Sequence, residues 1–139
     1  MARGPVLSQT AEYALRAVLL IAASGRDHPI GAGRLAAELG LPQNYLSKTL
    51  HVLSRAGVLD STRGKFGGFR LARPAGAITL LEVVRPFDEI SSGRACLLGL
   101  PVCSDQTACA AHRKWKRVSE RVAEFFRETT VADLARRQR

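Results

Sequence analysis

The stretch Leu35–Arg73 constrains the fold more than any other part of the sequence. It is predicted to form two helices joined by a tight turn and followed by a glycine-rich hairpin. Gly40 suits the left-handed residue that ends a helix, and Pro42 suits the first position of the next. In the second helix, predicted over Pro42–Ala56, apolar residues recur at helical spacing and indicate one buried face. These apolar residues are Leu46, Leu50 and Leu53. The pattern is typical of a helix-turn-helix.

Polar side chains occupy the beginning of this second helix, many of them on its free side. They are amides, hydroxyls and a cation, which are groups that hydrogen bond to base edges and to phosphates. The candidate DNA-binding residues of the helix are Gln43, Asn44, Tyr45, Ser47 and Lys48.

A basic hairpin follows, with strands predicted over Leu59–Thr62 and Phe69–Ala72. The glycines between them permit a tight turn and a close approach to another backbone. Arg63, Lys65 and Arg70 on this hairpin are candidate DNA-binding residues, because a basic tip beside a recognition helix reaches phosphates or the minor groove. An ordinary hairpin with solvated charges is the alternative interpretation.

The distribution of charge favours a polyanionic partner. The chain of 139 residues has a net charge of +9, and residues 41–73 alone carry six Lys/Arg against one Asp. This basic block coincides with the helix and hairpin, which points to double-stranded DNA as the partner rather than to a merely solvated surface. No phosphate-binding glycine loop and no convincing catalytic triad is visible, so an enzyme is not expected.

The flanking segments are predicted to be mostly helical. A first helix runs to about Ala23 with Ser8 or Thr10 as its cap, and a short helix begins at the capping box Thr79–Glu82. The longest apolar run is too short to span a bilayer. We therefore expect a cytoplasmic protein with no membrane partner.

The last long helix, from about Ala110 to Arg127, has an apolar stripe between charged residues. The stripe consists of Trp115, Val118, Val122, Phe125 and Phe126. Such a helix packs on its own domain or pairs with a second copy, and paired helix-turn-helix units need a two-fold axis to reach two half-sites. We expect a homodimer formed through this helix, followed by a short helix from Thr130.

The predicted fold class is therefore mainly α with a small β-hairpin wing: a winged helix-turn-helix domain plus a long C-terminal dimerisation helix. Residues 1–86 are predicted to form the DNA-binding domain, 87–109 a cysteine-containing sensor loop, and 110–139 the dimerisation helix and tail.

The three cysteines lie together in the predicted sensor loop, as Cys96, Cys103 and Cys109. An odd, clustered set in a cytoplasmic chain indicates metal or redox chemistry rather than a disulfide framework. The paired spacing of structural zinc sites and the common ferredoxin spacings are absent. Three thiolates are one ligand short of the usual four for an iron–sulfur cluster. The candidates for the fourth ligand are His112 and Glu12, with Glu12 reaching from a partner subunit. In the alternative interpretation neither residue is a ligand, because a surface histidine or an acid at a helix N-terminus needs no such role.

Several sequence segments resemble the BadM/IscR/NsrR-type family of bacterial winged helix-turn-helix regulators, often called the Rrf-two family. The segments that carry the resemblance are Leu7–Arg16, Leu41–Leu46, Gly57–Gly64, Gly67–Leu71 and Thr129–Leu134, together with the three cysteines. The resemblance implies a homodimeric transcription factor, often a repressor, whose affinity for DNA is switched by an iron–sulfur cluster that senses nitric oxide, oxidants or iron supply.

The resemblance also assigns roles to single residues. Cys96, Cys103 and Cys109 match the family's cluster ligands, and the first cysteine gap is six residues here where the family often has five. His112 matches a ligand of a 2Fe–2S site, whereas Glu12 matches an acidic ligand supplied in trans to a 4Fe–4S cluster. Asn44, Tyr45, Ser47 and Arg63 match positions that contact DNA in the family.

Two alternatives remain open on the sequence alone. The same regulator could sense through bare thiols or zinc, with no cluster. An iron–sulfur electron carrier is the alternative from another class, but it has no need of a helix-turn-helix with a strongly basic block.

Overall fold

The computed structural model describes residues 7–25, 28–88 and 112–135, and the fold is built from six helices and one hairpin within those ranges. The helices are α1 (Gln9–Ser24), α2 (Ala32–Leu39), α3 (Gln43–Arg55), α4 (Leu80–Val84), α5 (His112–Glu128) and α6 (Val131–Ala135). The strands are β1 (Leu59–Thr62) and β2 (Gly68–Leu71), and a single 3-10 turn spans Ala75–Ala77. The predicted fold class, mainly α with a small hairpin, is confirmed.

Helix α1 forms the centre of the core. Its N-cap is Ser8, whose Oγ accepts a hydrogen bond from the backbone N–H of Ala11 at 3.2 Å. Small and branched apolar residues give it one continuous buried face, which α2, α3, α4, α6 and β2 pack against. The buried residues of α1 are Ala11, Ala14, Ala17, Val18, Leu19 and Ile21.

Helices α2 and α3 form the predicted helix-turn-helix. Gly40 ends α2 in the left-handed conformation (φ 69°, ψ 35°), and the Leu41 N–H donates to the Ala36 carbonyl at 2.9 Å. Pro42 is the N-cap of α3 rather than its first helical residue, which corrects the predicted position by one. Leu46, Leu50 and Leu53 are fully buried, as the helical spacing predicted.

Strands β1 and β2 form the predicted antiparallel hairpin, with Leu59 opposite Leu71 and Thr62 opposite Gly68. Strand β2 begins at Gly68, one residue before the predicted start, because Gly68 pairs with Thr62 in the ladder. Phe69 also pairs with Ile30 in the loop before α2. The Ile30 N–H donates to the Phe69 carbonyl at 2.9 Å, and the Phe69 N–H donates to the Ile30 carbonyl at 2.8 Å.

Helix α4 begins with the predicted capping box. The Thr79 Oγ1 accepts from the Glu82 N–H at 3.3 Å, and the Thr79 N–H donates to Glu82 Oε2 at 2.9 Å. The Arg73 guanidinium donates to Glu82 Oε1 at 2.6 Å and thereby ties the end of the hairpin to α4. Burial alone would raise the pKa of Glu82, but hydrogen bonds from Thr79 and the neighbouring Arg73 together lower it below its usual value.

Helices α5 and α6 pack back onto the core formed by the earlier elements. Leu80 donates its N–H to the Thr129 carbonyl, and Val131 donates its N–H to the Ile78 carbonyl, each at 2.9 Å. Helix α5 buries Ser119, Ala123 and Phe126.

Residues 87–88 alone of the predicted sensor loop fall within the described ranges, and the division into three parts stays a prediction. No helix in the described ranges is both long and apolar enough to cross a membrane.

Candidate nucleic-acid interface

One row of polar and basic side chains runs along the exposed side of α3, opposite the buried leucines. Asn44, Lys48, His51 and Arg55 are all exposed and recur at intervals of four, three and four residues, so they share one face of the helix. Sequence reasoning identifies Asn44 and Lys48 but misses His51 and Arg55. Both residues continue the spacing of Asn44 and Lys48 for two more helical turns, and this pattern in the sequence could have identified them.

The wing lies directly beside the end of this row. The His51 ring contacts the Phe69 ring edge-to-face, with centroids 5.4 Å apart and planes at 73°. Arg63 and Lys65 at the hairpin turn are exposed, whereas Arg70 is half-buried and lies opposite Asp60 in the strand register. The described structure therefore brings the basic face of α3 and the basic wing onto one continuous surface.

The wing is held at a fixed distance from the body of the protein. Gly68 has φ 147°, and a Cβ at this position would lie 2.3 Å from the carbonyl carbon of Ile30. Any side chain at Gly68 would thus force the hairpin away from the loop before α2 and break the paired Ile30–Phe69 hydrogen bonds. The glycine permits a backbone contact that fixes where Arg63 and Lys65 are presented.

Tyr45 ties the recognition helix to the start of α1. Its hydroxyl lies 2.6 Å from the Thr10 Oγ1, and its ring packs edge-to-face on Tyr13 with centroids 5.9 Å apart. Tyr13 in turn accepts a hydrogen bond from Gln9 Nε2 at 2.7 Å, and its ring lies 5.8 Å from the Arg16 guanidinium carbon. Tyr45 is 37% exposed, so it combines a structural contact with access to solvent. Sequence reasoning gives Thr10 only as a possible cap and misses this pairing, because no local spacing reveals it.

The remaining two predicted residues of α3 lie at the edges of the basic face. Gln43 is exposed and lies against α2, since a Cβ on Gly33 would be 3.3 Å from Gln43 Oε1. Ser47 is half-buried. Ser47 is thus less open to a partner than Asn44 and Lys48, whereas the side chain of Gln43 is exposed but directed towards α2.

The first turn of α1 also meets the chain that leads to the cysteines. The Ser8 N–H donates to Asp88 Oδ2 at 2.9 Å, and Asp88 is the last residue described before the gap at 89–111. Leu7, just before α1, lines an open apolar groove with Val118, Val122 and Phe125 of α5. Three regions of the molecule therefore meet where α1 begins: the recognition helix, the approach to the cysteines and the outer face of α5.

The predicted metal ligands are only partly within the described residues. Cys96, Cys103 and Cys109 lie outside them. Glu12 lies half-buried in the first turn of α1, and its carboxylate makes no hydrogen bond or ion pair within the described ranges. His112 is half-buried and is the first residue of α5. In the part of the chain that the structure describes, no three His, Cys, Asp or Glu side chains converge as a metal site.

This arrangement suits a DNA duplex. A helix with an exposed polar and basic face fits the major groove, and a basic hairpin beside it reaches the flanking backbone or minor groove. Cationic side chains on both elements supply the phosphate contacts that dominate affinity for DNA.

Comparisons with known proteins agree with this geometry. The family model Rrf2, described as an iron-dependent transcriptional regulator, matches residues 7–137. The HTH-type transcriptional regulator IscR of Yersinia pestis is 30% identical over 95% of this chain and 80% of its own length. The structure of CymR, the global cysteine regulator of B. subtilis, superposes with a TM-score of 0.81 at 27% identity and full coverage of both chains.

A second solved structure supports the same assignment. IscR of T. potens superposes with a TM-score of 0.74 at 25% identity, covering 96% of this chain and 88% of its own. The matched family and the Yersinia relative are described as transcriptional regulators, and the solved structures share the fold. These findings confirm the predicted winged helix-turn-helix regulator and exclude an enzyme as the interpretation. The chain belongs to the Rrf2 family of DNA-binding transcriptional regulators.

Proposed function

We propose that this chain is a homodimeric repressor whose binding to a DNA operator is switched by an iron–sulfur cluster. The observation that carries the proposal is the junction at the first turn of α1. There, Thr10 is hydrogen bonded to the recognition helix and Ser8 to Asp88 in the segment that leads to the cysteines. Leu7, next to Ser8, lines the groove on the outer face of α5.

The DNA-binding part of the proposal assigns α3 to the major groove. Asn44, Lys48, His51 and Arg55 would face the base edges and phosphates, because they form the exposed row of the helix. Arg63 and Lys65 of the wing would contact the backbone beside it, with Arg70 as a weaker contributor because it is half-buried. Gln43, Tyr45 and Ser47 would act at the edge of the row. Such a regulator acts where the chromosome is, which in a bacterium is the cytoplasm.

The dimer part rests on α5. Val118 and Phe125 are each 51% exposed, and together with Leu7 and Val122 they line an open apolar groove of about 430 Å³. Contiguous apolar surface of this kind marks an interaction site in a protein that otherwise presents charged residues. A second copy of α5 is the occupant we propose, because two recognition helices related by a two-fold axis read two half-sites.

The sensor part assigns Cys96, Cys103 and Cys109 as cluster ligands, with Glu12 of the partner subunit or His112 as the fourth. When bound, an iron–sulfur cluster supplies reactivity towards nitric oxide and oxidants. The family's description as iron-dependent supports this assignment. Glu12 also fits it, because its half-buried carboxylate has no partner within the described ranges and so is open to a ligand role.

The residues at the α1 junction would transmit the state of the sensor. Asp88 holds the Ser8 N–H, so a movement of the segment after Asp88 acts on the first turn of α1. Thr10, in that same turn, is hydrogen bonded to Tyr45 at the start of α3. A shift of this turn would therefore change the orientation of α3 and alter the population of the conformation that binds DNA.

A second candidate function keeps the regulator and replaces the sensor. The likeness to CymR, described as a cysteine regulator, favours thiol chemistry or zinc at the same cysteines without a cluster. The electron-carrier alternative loses its support, because the family consists of transcriptional regulators.

The test of the sensor uses the full chain purified without oxygen. We expect a visible absorption band together with iron and sulfide on the same sample, all abolished in Cys103→Ala. Glu12→Gln and His112→Ala then distinguish the two candidates for the fourth ligand. The residue whose substitution makes the cluster dissociate faster is the ligand. Glu38→Gln, at an exposed glutamate of α2, is the control. A colourless protein without iron after anaerobic reconstitution contradicts the cluster and supports the thiol or zinc sensor.

The test of DNA binding selects duplexes from a random-sequence library with the wild-type chain. Recovery of a common motif with two related half-sites is the expected result. Affinity that does not exceed that for unselected duplexes refutes the operator-binding part, whatever the outcome for the cluster.

A further inference from the structure

The tip of the wing carries a phenylalanine that the core does not use. Phe66 is 85% exposed, far more than the other large apolar residues with exposed side chains in the described ranges, which are 37–51% exposed. A single exposed apolar residue is ordinary on a protein surface. The position of Phe66 is not ordinary, because it lies in a turn between Arg63 and Arg70 and directly follows Lys65.

The backbone presents Phe66 rigidly. The turn closes through a hydrogen bond from the Gly67 N–H to the Gly64 carbonyl at 3.0 Å. A Cβ on Gly67 would lie 2.1 Å from the Thr62 carbonyl oxygen, so the hairpin is as narrow as the chain allows at this point. Beyond the turn, Phe69 is fixed to Ile30 by two backbone hydrogen bonds. The backbone of the tip therefore points the Phe66 side chain away from the core and has little conformational freedom left to lose on binding.

The charge around the ring fits one kind of partner. The Lys65 ammonium lies 5.7 Å from the centroid of the Phe66 ring, and Arg63 is exposed on the same turn. An apolar ring next to two cations suits the minor groove, where deoxyribose faces are apolar and phosphates border the groove on both sides. Proteins that contact the minor groove commonly insert phenylalanine there.

We propose that Phe66 enters the minor groove of the operator and packs on the deoxyriboses beside the major groove that α3 occupies. Lys65 and Arg63 bind the flanking phosphates and so position the ring. This inference rests on the proposed DNA-binding function and adds a contact whose contribution does not depend on counterion release. The basic residues of the wing contribute to the salt dependence of binding, and Phe66 adds affinity that salt leaves unchanged.

The test compares Phe66→Ala with the adjacent Lys65→Ala on a duplex that the wild-type chain selects from a random library. Dissociation constants are measured by fluorescence anisotropy between about 50 and 200 mM salt. Phe66→Ala is expected to weaken binding about ten- to a hundredfold with the salt slope unchanged. Lys65→Ala is expected to reduce the salt slope by about one for each phosphate that the ammonium no longer neutralises. Thermal unfolding of Phe66→Ala should match the wild type, because the ring buries little surface.

A second measurement locates the site of the ring on the duplex. Hydroxyl radicals cleave deoxyribose from the minor groove, so the wild type is expected to protect a short stretch at the outer side of each half-site. Phe66→Ala should abolish that protection and keep the rest of the footprint. Unchanged affinity, or weaker affinity accompanied by a smaller salt slope, overturns the proposal for Phe66. Failure of the wild type to select any duplex instead overturns the proposed DNA-binding function, and the proposal for Phe66 with it.

Discussion

Replacing Phe125 by alanine is expected to weaken self-association about a thousandfold. A phenylalanine side chain has roughly 150–250 Å² of surface, and 51% of Phe125 is exposed in the single chain. Covering the remaining surface, about 100 Å², is worth about 2.5 kcal/mol per copy at about 25 cal/mol per Å². Because alanine retains part of that surface, the cost is about 2 kcal/mol per copy, or about 4 kcal/mol for the two copies of a dimer.

The assay is sedimentation equilibrium of the wild type and the variant over a range of protein concentrations. Glu124→Ala is the matched control, because Glu124 is the adjacent exposed residue and lies on a different face of α5. Phe125→Ala also removes the edge-to-face packing between Phe125 and Phe126, whose ring centroids are 5.3 Å apart. The thermal unfolding of Phe125→Ala is therefore measured separately, at a concentration where the wild type is monomeric. A dimer as tight in Phe125→Ala as in the wild type refutes α5 as the interface, and so does a wild type that stays monomeric while binding its operator.

Three further substitutions test how the elements are connected. Thr10→Val removes the hydroxyl that pairs with Tyr45 and should cost about 1 kcal/mol of stability. A double-mutant cycle with Tyr45→Phe, measured by urea unfolding, should give a coupling energy of similar size. Additive effects of the two substitutions would contradict the pairing. Glu82→Gln should lower stability at neutral pH by about 1 kcal/mol. Because the folded state lowers the pKa of Glu82, the stabilising contribution of its carboxylate is present above the unfolded pKa and is lost as pH falls through the folded pKa. The stabilities of the wild type and Glu82→Gln should therefore converge in acid. Ser54→Ala should stabilise the protein by up to about 1 kcal/mol, since Ser54 Oγ is buried without a hydrogen-bond partner in the described part of the chain; a decrease in stability would indicate a partner for the hydroxyl.

The sequence was most informative where structure depends on neighbours along the chain. The capping box at Thr79, the left-handed Gly40 and the leucine spacing of α3 are local signals, and the structure confirms each of them. They involve residues three or four positions apart, whose contacts follow from helix geometry alone.

The sequence was less informative where a contact joins residues that are far apart along the chain. The pairing of Ile30 with Phe69, which fixes the wing to the loop before α2, joins residues that are far apart in the sequence and is not among the predictions. In α5 the small residues Ser119 and Ala123 are buried against the protein's own core, whereas Val118 of the predicted stripe is half exposed. The candidate site shows the same limit, because the Thr10–Tyr45 pairing joins two helices that sequence spacing treats separately.

In the proposed switch, the strength of the contacts at the start of α1 limits how large a response can be transmitted to α3. The Thr10–Tyr45 hydrogen bond is exposed, so breaking it changes the free energy by about 1 kcal/mol, which corresponds to about a fivefold change in affinity for DNA. A larger response requires a second route from the same turn. Leu7 provides one, because it adjoins the α1 cap and also lines the apolar groove of α5. A movement of this turn would then change the spacing of two recognition helices in a dimer as well as the tilt of each, and the two effects would add.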